Sequence, residues 1–289
     1  MKKILITIFA AALINVLFTS ECSAGFQVGP LKQQISVAPG SADQTAIVSI
    51  VNSSNTKRKY ALKVLGAKQS ADGAIIYGSG MNIAESWVVA KDKYVELAPG
   101  QAKEVVFEIN VPNDAKAGSY YLGLTAEQTS LKSEKSIGVG GQIISVLVLQ
   151  VAGMVQESLI ITETTVPRSI VGNKWPFTFS ILNNGAASVP VDVNISARNW
   201  LGHIVVDQKV ISEAMLLPGA ARKYGGEIKV KNFNLPGPYE FQYKIKYGLT
   251  GQTAVATKTV WYFPPCSIFL ILIIIIAIVG VAKNQKKKM

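Results

Sequence analysis

Leu97-Ala98-Pro99-Gly100-Gln101 leads into Val105-Val106-Phe107-Glu108-Ile109-Asn110-Val111 and then into Gly118-Ser119-Tyr120. Val105, Phe107, Ile109 and Val111 alternate with Val106, Glu108 and Asn110. A period of two turns one set inward and the other toward water, which is the pattern of a half-buried strand. The same order returns downstream as Leu217-Pro218-Gly219, Ile228-x-Val230 and Gly237-x-Tyr239. The pairs Pro99/Pro218, Gly100/Gly219, Ile109/Ile228, Val111/Val230, Gly118/Gly237 and Tyr120/Tyr239 all share an offset of 119. Upstream, Val48-Ser-Ile-Val-Asn52 matches Phe179-Ser-Ile-Leu-Asn183 at an offset of 131.

The repeat predicts an all-β protein of two tandem immunoglobulin-like β-sandwich domains. Val189 to Ile195 and Tyr239 to Tyr247 alternate in the same way, and no comparable helical period appears. Pro-Gly makes a tight turn before a strand. The tyrosine that opens a later strand either ties its hydroxyl to nearby backbone, as in a tyrosine corner, or packs in the core. Domain 1 is placed at residues 25–153 and domain 2 at 154–263. Domain 1 ends in the long apolar strand Gln142–Val151, either buried on both faces or covering an edge.

The flanks read as targeting segments. Met1-Lys2-Lys3, the uncharged apolar run Ile4 to Phe18 and the small residues Cys22-Ser23-Ala24 predict a signal peptide over 1–24, cleaved after Ala24. A lipoprotein cleavage before Cys22 fits less well, because Glu21 stands beside that cysteine. Cys266 to Ala282 is 17 residues of almost wholly apolar sequence. As a helix it spans about 26 Å at ~1.5 Å per residue, near the lower limit for a hydrocarbon core of about 30 Å. Trp261, Tyr262 and Phe263 precede it and four lysines follow within 283–289. These flanks predict a transmembrane helix over 264–282, an aromatic belt outside and a basic cytoplasmic tail. Tyr262-Phe263-Pro264-Pro265 stands where a sortase motif would lie, so the lysines read as a stop-transfer flank. Pro264 and Pro265 stiffen the joint, which sets domain 2 near the bilayer and domain 1 farther out.

The chain has 289 residues and a formal net charge of +11. Without Lys2, Lys3, Glu21 and the four tail lysines, the exported region holds 23 basic and 17 acidic side chains, or +6. That balance allows an anionic wall polymer or headgroup surface as partner. The basic residues are scattered, which excludes a nucleic-acid binder. There are only two cysteines, Cys22 and Cys266, so no bridge forms within a domain. An animal-type surface receptor is therefore disfavoured and a bacterial surface fits better.

Catalytic chemistry is sparse. His203 is the one histidine, and neither a nucleophilic arrangement nor a clustered metal-ligand set is legible. Gly138-x-Gly140-Gly141 precedes a strand and reads as a flexible loop rather than a phosphate cradle. No catalytic residue, cofactor, metal or small-molecule substrate is expected. Candidate ligand-binding residues are the aromatics Tyr77, Trp87 and Tyr94 of domain 1, with Trp200 and His203 of the hairpin Asn199–His203. For Trp87 and Trp200 the competing reading is that they plug the sandwich ends.

Val37-Ala-Pro-Gly40, Ser49-Ile-Val-Asn52, Ala71-Asp-Gly-Ala-Ile-Ile-Tyr77, Val95 to Gln101, Val106 to Pro112 and Gly118 to Leu124 stand in an order that resembles the WxL-interacting proteins of Gram-positive bacteria. The resemblance implies peptidoglycan binding by the first domain and binding of WxL surface proteins by the second. Ser86-Trp87 and Leu97-Ala-Pro-Gly100 are similar, in order, to the pilus-chaperone type of sandwich. From these readings we expect a non-enzymatic, membrane-anchored bacterial surface protein, with the bulk of the chain extracytoplasmic, that binds cell-wall polymer or another surface protein as a scaffold. The alternative is a membrane-tethered periplasmic chaperone for the assembly of exported subunits.

Overall fold

The computed structural model describes residues 25–129, 141–230, 234–265 and Ile276. The signal peptide 1–24, the glycine-rich loop at 138–140, the tail 283–289 and nearly all of the apolar run 266–282 lie outside the described residues. Among the described residues, no helix is long and apolar enough to cross a membrane.

Domain 1 contains β1 (Gln27–Gly29), β2 (Lys32–Val37), β3 (Gln44–Val51), β4 (Arg58–Gln69), β5 (Ile75–Gly78), β6 (Val88–Ala90), β7 (Tyr94–Leu97), β8 (Ala102–Ile109), β9 (Gly118–Thr129) and β10 (Gln142–Val151), with a 3-10 helix at Ile83–Trp87. Domain 2 contains β11 (Leu159–Thr165), β12 (Ser169–Val171), β13 (Lys174–Asn183), β14 (Val189–Asn199), β15 (Ile204–Leu216), β16 (Ala221–Lys229), β17 (Gly237–Tyr247) and β18 (Gln252–Phe263). Each domain is a sandwich. In domain 1 the sheet β1-β3-β8-β6 faces a larger sheet ordered β2-β10-β9-β4-β5, with β7 also on β4. In domain 2 the sheet β11-β13-β16 faces β12-β18-β17-β14-β15.

The repeated residues fold into repeated structure. In each domain the first strand changes sheets. β1 pairs with β3, then β2 runs parallel to β10; likewise β11 pairs with β13, then β12 runs parallel to β18. Asn52 and Asn183, both fully buried, explain the upstream match. The Asn52 amide donates to the Leu97 carbonyl at 2.9 Å, and the Asn183 amide donates to the Leu216 carbonyl at 3.0 Å. Each backbone also clasps its Pro-Gly turn, with Gly100 N donating to Asn52 O at 2.8 Å and Gly219 N to Asn183 O at 2.9 Å. A buried amide is tolerated here because its hydrogen bonds are made inside the protein. The offset falls from 131 to 119 because domain 1 inserts β5, the 3-10 helix and β6 between these landmarks.

Both tyrosine readings hold together. The Tyr120 hydroxyl donates to Lys116 O at 2.8 Å and the Tyr239 hydroxyl to Leu235 O at 2.7 Å, each four residues upstream. Their rings meanwhile stand edge-on to tryptophans, Trp87 at 4.8 Å and Trp175 at 5.3 Å. The domain 2 core is aromatic, built on Trp175, Phe179, Phe241 and Tyr243. Domain 1 relies more on aliphatics such as Ile50, Leu97, Ile109 and Leu147.

The domains dock end to end. Ser119 N donates to Ala186 O at 3.0 Å and Lys223 N to Ala71 O at 3.1 Å. Gln69 bonds both the Met215 carbonyl and the Leu217 amide, while Ser188 donates to the Tyr121 hydroxyl at 2.7 Å. At Gly118, with φ +153, a Cβ would fall 2.6 Å from Ala186 O, so only glycine lets the domains approach this closely.

Candidate functional site

The larger sheet of domain 1 has two apolar faces. Leu122, Leu124, Leu147, Leu149 and Val151 point into the core. Their strand neighbours face away from it: Tyr121 and Gly123 on β9, and Ile144, Val146 and Val148 on β10. Register places Gly123 opposite Val146 and Tyr121 opposite Val148. Leu65 lies beside Gly123 on β4, and Tyr77 stands on β5 beside Ala67. Gly123 is required by Tyr77, because a Cβ there would lie 2.8 Å from both the Tyr77 ring and the Ile144 side chain. The Tyr77 ring therefore sits over Gly123. Burial raises its phenol above the ordinary tyrosine value, leaving it neutral at physiological pH.

This strip runs along the outer face into a cleft between the domains. The cleft holds about 330 Å³ and is walled by Ala67, Met81, Ile83, Tyr120, Tyr121 and Pro218, with Lys68 and Lys116 at its mouth. Both lysines are exposed. The cleft thus offers an apolar floor with cations at the rim, a pairing that suits an apolar chain segment carrying a carboxylate. The opposite end of the same face is polar, where Lys63 pairs with Glu127 at 2.6 Å and Lys57 with Glu96 at 2.7 Å.

The five sequence candidates do not converge. Tyr77 and Tyr94 share the outer face of the larger sheet, but their partners Ala67 and Ala61 stand six positions apart on β4, about 20 Å at ~3.3 Å per residue. The Tyr94 ring is exposed, with Lys59 Nζ 4.5 Å from its centroid. Trp87 is 7% exposed and packs on Tyr120 inside domain 1, so it offers no ring to a ligand. Trp200 and His203 sit on the β14–β15 hairpin at the far end of domain 2, where the Asn199 carboxamide accepts from Leu201 N and His203 N. Tyr121, Ile144, Val146, Lys68 and Lys116 were not singled out from the sequence. The signal for β10 is a run that is apolar on both faces, which does not say which face packs the core.

Among the described residues, no group of three or more His, Cys, Asp or Glu side chains is placed to hold a metal ion. No family model and no curated protein matches the sequence. Solved structures do resemble it. A crystal structure of the class 5 fimbriae chaperone CfaA aligns with TM-score 0.47 and 12% identity, over 81% of this chain and 98% of that one. The CsuC–CsuE chaperone–tip adhesion subunit pre-assembly complex of Acinetobacter baumannii gives 0.40 and 11%, over 70% and 90%. The Salmonella enterica SafA pilin–SafB chaperone complex gives 0.39 and 11%, over 84% and 98%. At these identities the likeness is one of fold.

Proposed function

We propose that this chain is a non-enzymatic, membrane-tethered binding protein of a bacterial cell surface that captures an exported protein, in the manner of an assembly chaperone. The apolar strip of Leu65, Tyr77, Tyr121, Ile144 and Val146 carries this reading. It covers the outer face of a sheet whose other face already packs the core; Tyr121 at its end packs against domain 2, while Leu65, Tyr77, Ile144 and Val146 stay half-exposed. Half-exposed apolar surface that continues into a cleft is a mark of a protein-binding surface. The exposed lysines at the cleft mouth add attraction for a carboxylate on the partner. An exported subunit with an exposed apolar strand is the kind of partner proposed. The wall-binding scaffold is the less supported reading, since the exposed aromatics are dispersed over both domains and do not form one stacking platform.

The test is site-specific photo-crosslinking of the full chain in its native cells, with the crosslinker at Val146 or, as control, at Leu249. One exported protein captured from Val146 and not from Leu249 is expected. Val146→Lys should then weaken the purified complex about 30-fold, the loss of roughly 2 kcal/mol typical of a central contact. Equal capture from both positions, or retention on isolated cell walls that Val146→Lys leaves unchanged, would overturn the proposal.

A further inference from the structure

The end of domain 2 opposite domain 1 gathers exposed apolar side chains. Trp200 (58% exposed), Leu201 (50%), Ile204 (55%), Leu235 (43%), Trp261 (51%) and Val171 (58%) all belong to it. Pairing fixes their common location. Trp261 stands opposite Pro238 on β17 and Ser169 on β12, and Val171 stands opposite Phe263. Arg198, next to the hairpin, pairs with Ile204 and Glu240. Single exposed hydrophobics are ordinary on a soluble protein, but six around one rim are not.

The rim is also where the chain leaves the domain. β18 ends at Phe263, and only Pro264 and Pro265 separate it from the apolar run that begins at Cys266. The three Cα–Cα steps from Phe263 to Cys266 reach at most about 10 Å when fully extended. The headgroup zone on one side of a bilayer is about 5–8 Å deep. A tether that short holds the rim at the headgroups, so its side chains meet lipid rather than bulk water. The side chains present suit that position. Trp261 lies parallel to Phe263 with centroids 6.5 Å apart. The Trp200 ring rests on Gly237, and its indole N–H donates to Pro236 O at 3.2 Å. Aromatic rings with one polar edge favour the interface. Exposed Arg168, Lys174, Arg198 and Lys229 surround them against Glu227 and Glu240, an excess of cations that favours anionic headgroups.

We infer that this rim is a lipid-contacting surface, with the Trp200–Leu201 hairpin tip and Trp261 seated among the headgroups of an anionic bilayer, so that domain 2 stands on the membrane at a fixed orientation and holds domain 1 away from it. The inference rests on the membrane-tethered reading above. Two readouts keep the two apart. The full chain, with Cys22 and Cys266 changed to serine, carries a nitroxide at Leu201→Cys or Ile204→Cys, with Leu249→Cys at the other end of the domain as control. It is reconstituted into vesicles of phosphatidylethanolamine and phosphatidylglycerol. Resistance to carbonate extraction reports the anchor. Collision of the label with dissolved oxygen and with a water-soluble nickel chelate reports the rim. For residues seated in the interface, nickel collisions at 201 and 204 should fall about fivefold or more below those at 249, while oxygen collisions rise. An extraction-resistant chain whose labels at 201 and 249 behave alike overturns the inference and leaves the anchor standing. Shielding at 201 from both reagents means that protein covers the rim, and overturns it too. A chain that carbonate extracts overturns the anchor, and the inference with it.

Discussion

Replacing Asn183 with alanine tests the feature that makes the two domains copies of one another. The Asn183 side chain is fully buried and makes three hydrogen bonds: to Ala187 O at 2.7 Å, to Leu216 O at 3.0 Å and from Gly185 N at 3.0 Å. Alanine leaves the Leu216 carbonyl buried without that donor, at about 1–3 kcal/mol. The bonds to Ala187 and Gly185 lie nearer solvent, where water replaces part of what is lost, so each contributes about 0.5–1 kcal/mol. The sum is roughly 2–5 kcal/mol, a large share of the stability of an ordinary domain. Three of the four tryptophans, Trp175, Trp200 and Trp261, lie in domain 2. Urea unfolding of the full chain in mild detergent, followed by tryptophan fluorescence, therefore reports mainly on that domain. With a slope of about 2 kcal/mol/M, the midpoint should drop by about 1–2.5 M. A drop below about 0.3 M would show that the amide is dispensable, and the account of the repeat given above would fail.

Two further outcomes follow from the packing. Gly118→Val puts a Cβ 2.6 Å from Ala186 O at a φ that disfavours side chains; about 1–3 kcal/mol of strain should loosen the domain junction and speed hydrogen exchange at Ser119 and Lys223, and unchanged exchange would refute the close approach. Burial raises the phenols of Tyr60, Tyr239 and Tyr243 above the ordinary value near 10. A raised folded value means that their contribution is complete below pH about 10 and is lost as pH climbs through the raised values. Absorbance at 295 nm should show a late, cooperative tyrosine step that coincides with loss of the β circular dichroism signal. Ionisation of all the tyrosines near pH 10 with that signal intact would contradict the burial.

The sequence by itself determined the all-β class, the two domains and the repeat. These features depend on local chemistry. A period of two, a Pro-Gly turn and a tyrosine ahead of a strand act within a few residues, and both tyrosine hydroxyls indeed bond only four residues back. The match between Asn52 and Asn183 was visible in the letters, but its reason was not, because the carbonyls they hold at Leu97 and Leu216 lie 45 and 33 residues away. Tertiary structure alone decided which apolar residues are covered. Trp87 and Trp200 look alike as aromatics in loops, yet one is sealed against Tyr120 and the other stands at a rim, since burial depends on what arrives from distant segments. The strand Gln142–Val151 is apolar on both faces. Only its place between β2 and β9 shows that Leu147, Leu149 and Val151 fill the core while Ile144 and Val146 lie half-exposed on the other face.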